Sequence, residues 1–335
     1  MSDVTTKTIL EVSGLTVSFE QATGSTTVVN DVSFEVLEGE TLGIVGESGC
    51  GKTVTVLSIL GLLPETGTID SGKMIFEGSD LAKLPVEEIR KVRGSKIAMI
   101  FQDPLSALNP LLPISTQICE VTMLHRGFNR DEARLHAVRM LELVGIPDAE
   151  KRIDAYPHEF SGGMRQRIMI AIALSCEPTL LLADEPTTAL DVTTQAQILN
   201  LIRTLNPKFK TSTVLVTHDL GIVAQMTDRV AVMYGGRILE IAKTSDLFRA
   251  PSNPYTKALL KSVPDPSVGR IEDLYQIPGT ADFSVATHGC AFAPRCDRAE
   301  QLCREELPKL EQVSEGRYSR CHFAKEEYLS NRSKH

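Results

Sequence analysis

Thr41-Leu42-Gly43-Ile44-Val45-Gly46-Glu47-Ser48-Gly49-Cys50-Gly51-Lys52-Thr53 is the stretch that decides the fold. Its first five residues make the short apolar run of a buried parallel strand. The next eight fit Gly-x4-Gly-Lys-Thr, and Lys52–Leu62 reads as a helix stopped by Pro64. Strand, glycine-rich turn and helix in that order make a phosphate cradle. Gly46, Gly49 and Gly51 let the loop turn tightly. Successive N–H groups, those of Ser48 and Cys50 included, then aim at phosphate oxygens, and the helix adds the positive end of its dipole. Lys52 is expected to bridge the β- and γ-phosphates of a nucleoside triphosphate, and the Thr53 hydroxyl to ligate Mg2+.

Working outward, Leu180–Ala183 is a second short apolar run, and it ends on Asp184-Glu185. A carboxylate at a strand end can reach the magnesium edge of the phosphates, which is the expectation for Asp184, and Glu185 is placed to polarise an attacking water. Ile97–Phe101, Thr213–Thr217 and Arg229–Tyr234 also read as buried strands with helices between them. Ile9–Phe19 and Val28–Val36 mix β-branched and alternating residues and read as an antiparallel sheet. Residues 114–178 change character and read as mostly helical. Over Asp131–Val144 the spacing of Leu135, Val138, Leu141 and Val144 predicts one apolar helix face. The pattern predicts an α/β fold with a mainly parallel core, an N-terminal antiparallel β subdomain and an inserted helical subdomain. Pro251, Pro254, Pro264 and Pro266 mark a boundary, dividing the chain into 1–250 and a 251–335 extension.

Composition narrows the partners. Acidic residues outnumber basic ones by 43 to 35, a net charge of −8, which argues against duplex nucleic acid as the main partner. The most apolar stretch, Ile168 to Cys176, is about half the length that crosses a bilayer. The N-terminus lacks the pattern of a signal peptide, so a cytoplasmic protein with reduced thiols is expected.

Phe160-Ser161-Gly162-Gly163-Met164 opens a helix, Met164–Ser175, with a serine cap and two glycines that bare the backbone N–H groups, a second anion site. The P-loop, the Asp184-Glu185 strand end and this segment together resemble the ATP-binding cassette (ABC) family of P-loop NTPases, whose Leu-Ser-Gly-Gly-Gln signature stands here as Phe-Ser-Gly-Gly-Met. The resemblance covers about residues 9–250. It implies that Gln102 senses magnesium and the membrane partner, that Asp191 belongs to the loop following the catalytic strand, and that His218 touches the γ-phosphate. It implies an aromatic at Phe19 stacked on adenine, although Phe19 serves equally well as a core strand residue. Cys50 departs from the serine usual at its position; an exposed thiol there would be open to alkylation that bound ATP blocks.

The resemblance further implies two cassettes paired head to tail, each ATP lying between one P-loop and the other's Ser161, Gly162 and Gly163. Beyond Pro251, Asn253-Pro254-Tyr255-Thr256 and then Cys290, Cys296, Cys303 and Cys321 look like the C-terminal extension of oligopeptide and dipeptide importer ATPases. Four cysteines within 32 residues suggest metal ligation. A 4Fe–4S cluster is the expectation from related importers, with zinc and unligated thiols as alternatives, since no interval is Cys-x2-Cys. His288 and His322 adjoin these cysteines as alternative ligands or solvated residues. The family implies two transmembrane permease subunits, a second ATPase subunit (a homologue or a copy), an extracytoplasmic peptide-binding protein, and residence on the cytoplasmic side of the inner membrane. Importers of nickel or another small solute, and soluble non-transport ABC ATPases, are the competing readings.

Overall fold

The computed structural model describes residues 7–22, 24–188, 190–263, 275–280 and 288–332. Pro264 and Pro266 lie outside the described residues. Along the chain the strands are β1 (Thr8–Gln21), β2 (Gly24–Leu37), β3 (Thr41–Val45), β4 (Gly67–Phe76), β5 (Ser79–Asp80), β6 (Ile97–Ile100), β7 (Leu180–Asp184), β8 (Ser212–Thr217), β9 (Arg229–Tyr234), β10 (Arg237–Lys243), β11 (Glu311–Ser314) and β12 (Arg317–Ser319). The chain divides into two compact units. One comprises 1–9, 37–39 and 83–215; the other comprises 10–36, 40–82 and 216–335.

In the second unit, β2-β1-β4-β5 form a sheet in that order, with β1 antiparallel to β4 from Leu10↔Phe76 to Phe19↔Gly67. A second sheet has the order β11-β12-β10-β9-β3. β3 runs parallel to β9, from Leu42↔Arg229 to Val45↔Val232, whereas β10 is antiparallel to both β9 and β12. Among these strands the β3–β9 pair has the parallel arrangement expected of the core. The outer strands are antiparallel because Gly235-Gly236, both with positive φ, turn β9 directly back into β10. The C-terminal extension contributes β11 and β12 to the same sheet. Its Tyr255 and Phe292 pack in one core with Val45, Val230, Val232 and Tyr234. β3 and β9 are almost wholly buried, which is why their sequences run apolar without alternation.

In the first unit, β6 and β7 pair in parallel from Ile97↔Leu180 to Ile100↔Ala183, and β8 is β7's other neighbour. Helices cover Ile114–Arg126, Arg130–Leu143, Gly162–Leu174 and Val192–Phe209. The helix Arg130–Leu143 begins at a capping box: the Asn129 side chain accepts from the N–H groups of Asp131 and Glu132, and Glu132 accepts from the Asn129 N–H. Its buried face is Ala133, Ala137, Met140 and Leu141; of the predicted stripe Leu141 and Val144 are fully buried and Val138 half-buried, whereas Leu135 is 55% exposed. Small alanines supply the first part of that face, which a count of large apolar residues misses. No helix among the described residues is long and apolar enough to cross a membrane.

Candidate functional site

In the second unit the cradle follows β3 directly. A Cβ on Gly46 would stand 2.1 Å from the Met233 carbonyl oxygen, and one on Gly51 would meet Met233 Cε at 2.8 Å and the Val28 oxygen at 3.0 Å. Gly49 and Gly51 also have positive φ, 82° and 105°. Packing and backbone conformation therefore both demand glycine here. The helix Lys52–Ile59 begins at Gly51 without a side-chain cap. Lys52 is 5% exposed, and its ammonium donates to the carbonyls of Gly46 (2.8 Å) and Glu47 (3.1 Å), which seats it in the hollow of the loop. Ser48, Gly49 and Thr53 face solvent. Cys50 is fully buried, its Sγ 3.9 Å from Lys52 Nζ, and burial raises its pKa against the pull of that ammonium. The thiol is thus shielded, and the exposed, alkylation-prone Cys50 considered from sequence is not what the fold provides.

His218 follows β8 on the surface, and the next residue, Asp219, caps the helix Leu220–Met226 by accepting from the Gly221 (2.7 Å) and Ile222 (3.3 Å) N–H groups. Phe19 is half-buried near the end of β1. Its ring lies against Gly67, where a Cβ would meet Cε1 at 2.8 Å.

In the first unit Asp184 ends β7 and is 4% exposed. Glu185 has φ of 45°, a strained conformation for a non-glycine residue of the sort concentrated at functional sites. Its Oε2 accepts from Gln102 Nε2 at 3.3 Å and from Thr188 Oγ1 at 2.8 Å, so two residues singled out far apart in sequence meet. Ser161 caps the helix Gly162–Leu174, its Oγ accepting from the Met164 N–H at 3.4 Å. A Cβ on Gly162 would meet nothing within 4 Å, whereas one on Gly163 would come 2.7 Å from Thr194 Cγ2. Thr194 in turn donates its N–H (3.0 Å) and hydroxyl (2.7 Å) to Asp191, which caps the helix Val192–Phe209. Those donors hold the Asp191 carboxyl below its usual range. Sequence reasoning missed Gln166, 1% exposed, whose Nε2 donates to the Pro186 oxygen at 2.6 Å and ties the Ser161 helix to the Asp184-Glu185 segment. Flanked by Arg165 and Arg167, Gln166 carries no sequence signal of burial.

The C-terminal module belongs to the second unit. Cys290, Cys296, Cys303 and Cys321 are free thiols that line one small cavity of about 20 Å³, together with Arg298 and Arg320. The Cys290 N–H donates to the Cys303 oxygen at 2.7 Å. Burial raises the Cys290 and Cys296 thiols and pushes Cys321 up to about 12. His322 Nε2 is 2.9 Å from the Glu306 carbonyl oxygen, and His288 is exposed. Among the described residues no group of three or more His, Cys, Asp or Glu is arranged to hold a single metal ion. The geometry therefore does not itself display the metal centre expected from the cysteine spacing. Two further residues escaped the sequence reading: Arg295 forks onto the Glu47 carboxylate (2.7 and 3.1 Å), and Tyr255 Oη accepts from the Glu47 N–H at 3.2 Å.

Comparison with known proteins agrees with these motifs. Residues 29–188 match the family described as ABC transporter, and residues 239–303 match the oligopeptide/dipeptide transporter C-terminal region. The chain is 50% identical to a probable peptide ABC transporter ATP-binding protein of Sinorhizobium fredii, over 93% of this chain and 94% of the relative. It is 48% identical to the oligopeptide transport ATP-binding protein OppD of Salmonella typhimurium, over 96% and 95%. Among solved structures, the ATP-binding cassette MJ0796, a dimer in a post-hydrolysis state bound to ADP and Pi, superposes with a TM-score of 0.63 at 27% identity, covering 70% of this chain and 98% of that one. Identity at this level over nearly the whole length places the chain in the oligopeptide/dipeptide family of ABC transporter ATP-binding proteins.

Proposed function

We propose that this protein is the ATP-hydrolysing subunit that energises an ABC importer for oligopeptides or dipeptides. The observation that carries this is near-full-length similarity to peptide-transport ATP-binding proteins, C-terminal region included, on a chain whose Lys52 cradle is sterically complete. Backbone N–H groups from Gly46 to Thr53 and the Lys52 ammonium grip the triphosphate. Thr53, Asp184 and Gln102 would hold Mg2+, which would neutralise negative charge on the triphosphate. Glu185 takes the proton of the attacking water, with Gln102 and Thr188 fixing its carboxylate. His218 steadies the γ-phosphate, and Phe19 stacks on the adenine.

Two cassettes close head to tail, and the partner's Ser161, Gly162, Gly163 and Asp191 complete each nucleotide site. The catalytic power is mostly positioning and charge stabilisation, since phosphoryl transfer leaves little covalent work for the protein. The subunit works peripherally at the cytoplasmic face of the inner membrane with two permeases, a second ATPase subunit and an extracytoplasmic peptide-binding protein.

The cysteine module is proposed to hold a 4Fe–4S cluster. Four thiols around one cavity support this. Tetrahedral zinc needs sulfurs about 3.8 Å apart, whereas a cubane spreads its thiolates over four irons. Cys290, Cys296, Cys303 and Cys321 would hold the cluster, which would tie the Cys290–Cys303 segment to Cys321. The raised thiols must lose their protons when it binds. Anaerobically purified protein should carry iron and sulfide in equal amounts; stoichiometric zinc would reject the cluster.

The transport reading is tested in proteoliposomes containing this chain, its permeases and its binding protein. Peptide should stimulate ATP hydrolysis and accumulate inside. ATP-driven uptake of a metal ion, with no response to peptide, would reassign the substrate.

A further inference from the structure

We propose that Arg295, carried by the cysteine-rich module, is the counter-charge of the phosphate cradle and a positioning residue for nucleotide binding. The inference rests on the ATP-binding reading above. It begins from an oddity of the loop: Glu47 places a carboxylate at its second position, where Gly-x4-Gly-Lys-Thr demands no particular side chain. A carboxylate there opposes the approach of a polyanion, and within a few ångströms in a partly dry site such repulsion is substantial.

The structure answers it with one guanidinium. Arg295 Nη1 and Nη2 donate to Glu47 Oε2 and Oε1 at 2.7 and 3.1 Å, a fork-on-fork pair. The Arg295 side chain is 7% exposed against 24% for Glu47, so the cation is the deeper, fixed partner. Its other donor positions are also engaged: Nε to the Pro278 oxygen at 2.9 Å, Nη2 to the Ile277 oxygen at 3.4 Å and Nη1 to Tyr234 Oη at 3.3 Å. The loop backbone is anchored in parallel by the Glu47 N–H to Tyr255 Oη, and the Tyr255 ring packs at a tilt against Tyr234 and Phe292 at centroid distances of 4.6 and 5.1 Å.

Phe292 and Arg295 both lie between Cys290 and Cys296, Arg295 ending a short 3-10 turn, Ala293–Arg295. One short stretch of the extension thus delivers an apolar wedge and a cation to the cradle's second residue. The order of the cysteine loop is thereby coupled to the electrostatics of the P-loop.

The experiment is titration of the full-length chain with a non-hydrolysable ATP analogue and Mg2+, with melting temperatures recorded alongside. Arg295→Gln should weaken binding about tenfold, steepen its improvement with salt, and raise KM while leaving kcat nearly unchanged. Glu47→Gln should bind at least as tightly as the wild type. The Glu47→Gln/Arg295→Gln double variant should return to within about twofold of it. Wild-type affinity in Arg295→Gln, a double variant as weak as Arg295→Gln, or loss of affinity in Glu47→Gln would each overturn the proposal. The Glu47→Gln result decides the matter even if Arg295→Gln does not fold. A wild-type chain that binds no nucleotide would instead overturn the ATP-binding reading itself.

Discussion

The chain offers two glycine-rich helix starts to phosphate, and they are built in opposite ways. The Gly46–Lys52 turn is locked from every side: Met233 crowds Gly46 and Gly51, Lys52 fills the hollow, and Arg295 and Tyr255 hold Glu47. The Ser161–Gly163 turn is a bare tip. Space around Gly162 is open, and only Thr194 bears on Gly163. A locked turn is shaped within its own chain before any partner arrives. An open tip with uncrowded N–H groups waits for something brought to it, which fits the proposed head-to-tail partner.

The largest test of that contrast is a matched pair of alanine substitutions. Gly46→Ala drives a methyl into a backbone carbonyl that cannot swing aside, so the single chain should lose nucleotide binding altogether in equilibrium titration. Gly162→Ala should leave that binding within about twofold, since the lone chain's cradle is untouched, yet lower ATP turnover in the assembled transporter. Comparable loss of single-chain binding in both would erase the distinction.

Glu185 sharpens it further. Its strained φ and its hydrogen bonds from Gln102 and Thr188 suit the proposed role in chemistry rather than grip. Glu185→Gln should therefore keep nucleotide affinity while slowing hydrolysis by about 10²–10⁴-fold, the range expected for removing a general base. Undiminished turnover would remove Glu185 from that role.

The locked region was also the more legible one. Strand-then-cradle-then-helix is a local signal, and Thr41–Val45, the loop and the helix start at Lys52 were all read within a few residues of their observed bounds. Cassette fold and family were likewise readable, because the motifs are short and ordered along the chain. What escaped depends on distance in sequence. Arg295 is 248 residues from Glu47, and nothing in the spacing of either announces the pair. Gln166, between Arg165 and Arg167, drew no reading from sequence, because its partner Pro186 is 20 residues away. β10 was missed because its pairing follows from the Gly235-Gly236 turn rather than from alternation, and β11 and β12 because short strands at a sheet edge carry little pattern of their own. The helical stripe held at Leu141 and Val144 but not at Leu135, because alanines, invisible to a count of large apolar residues, form the first part of the buried face.

The smallest effect concerns how the open tip is braced. The helical segment leading to it relies partly on surface charge: Arg134 forks onto Asp154 at 2.8 and 2.7 Å, with the two side chains 46% and 59% exposed. Hydrogen bonding from Arg134, aided by Ser115, lowers the Asp154 carboxyl to about 2. A depressed carboxyl contributes stability that is fully present above its unfolded value, about 3.9, and is lost as pH falls toward the folded value. Solvent screening keeps that contribution under about 1 kcal/mol. Asp154→Asn should therefore lower the urea midpoint slightly and constantly from pH 7 to about pH 5, with the difference from wild type shrinking below about pH 4. Added salt should shrink it at every pH. The Glu47–Arg295 pair, with its arginine buried, should respond far less to salt under the same titration. A clamp at Asp154 as salt-resistant as that pair would mean the helical segment is braced as firmly as the cradle, and the openness of its tip would then belong to the Ser161 turn alone.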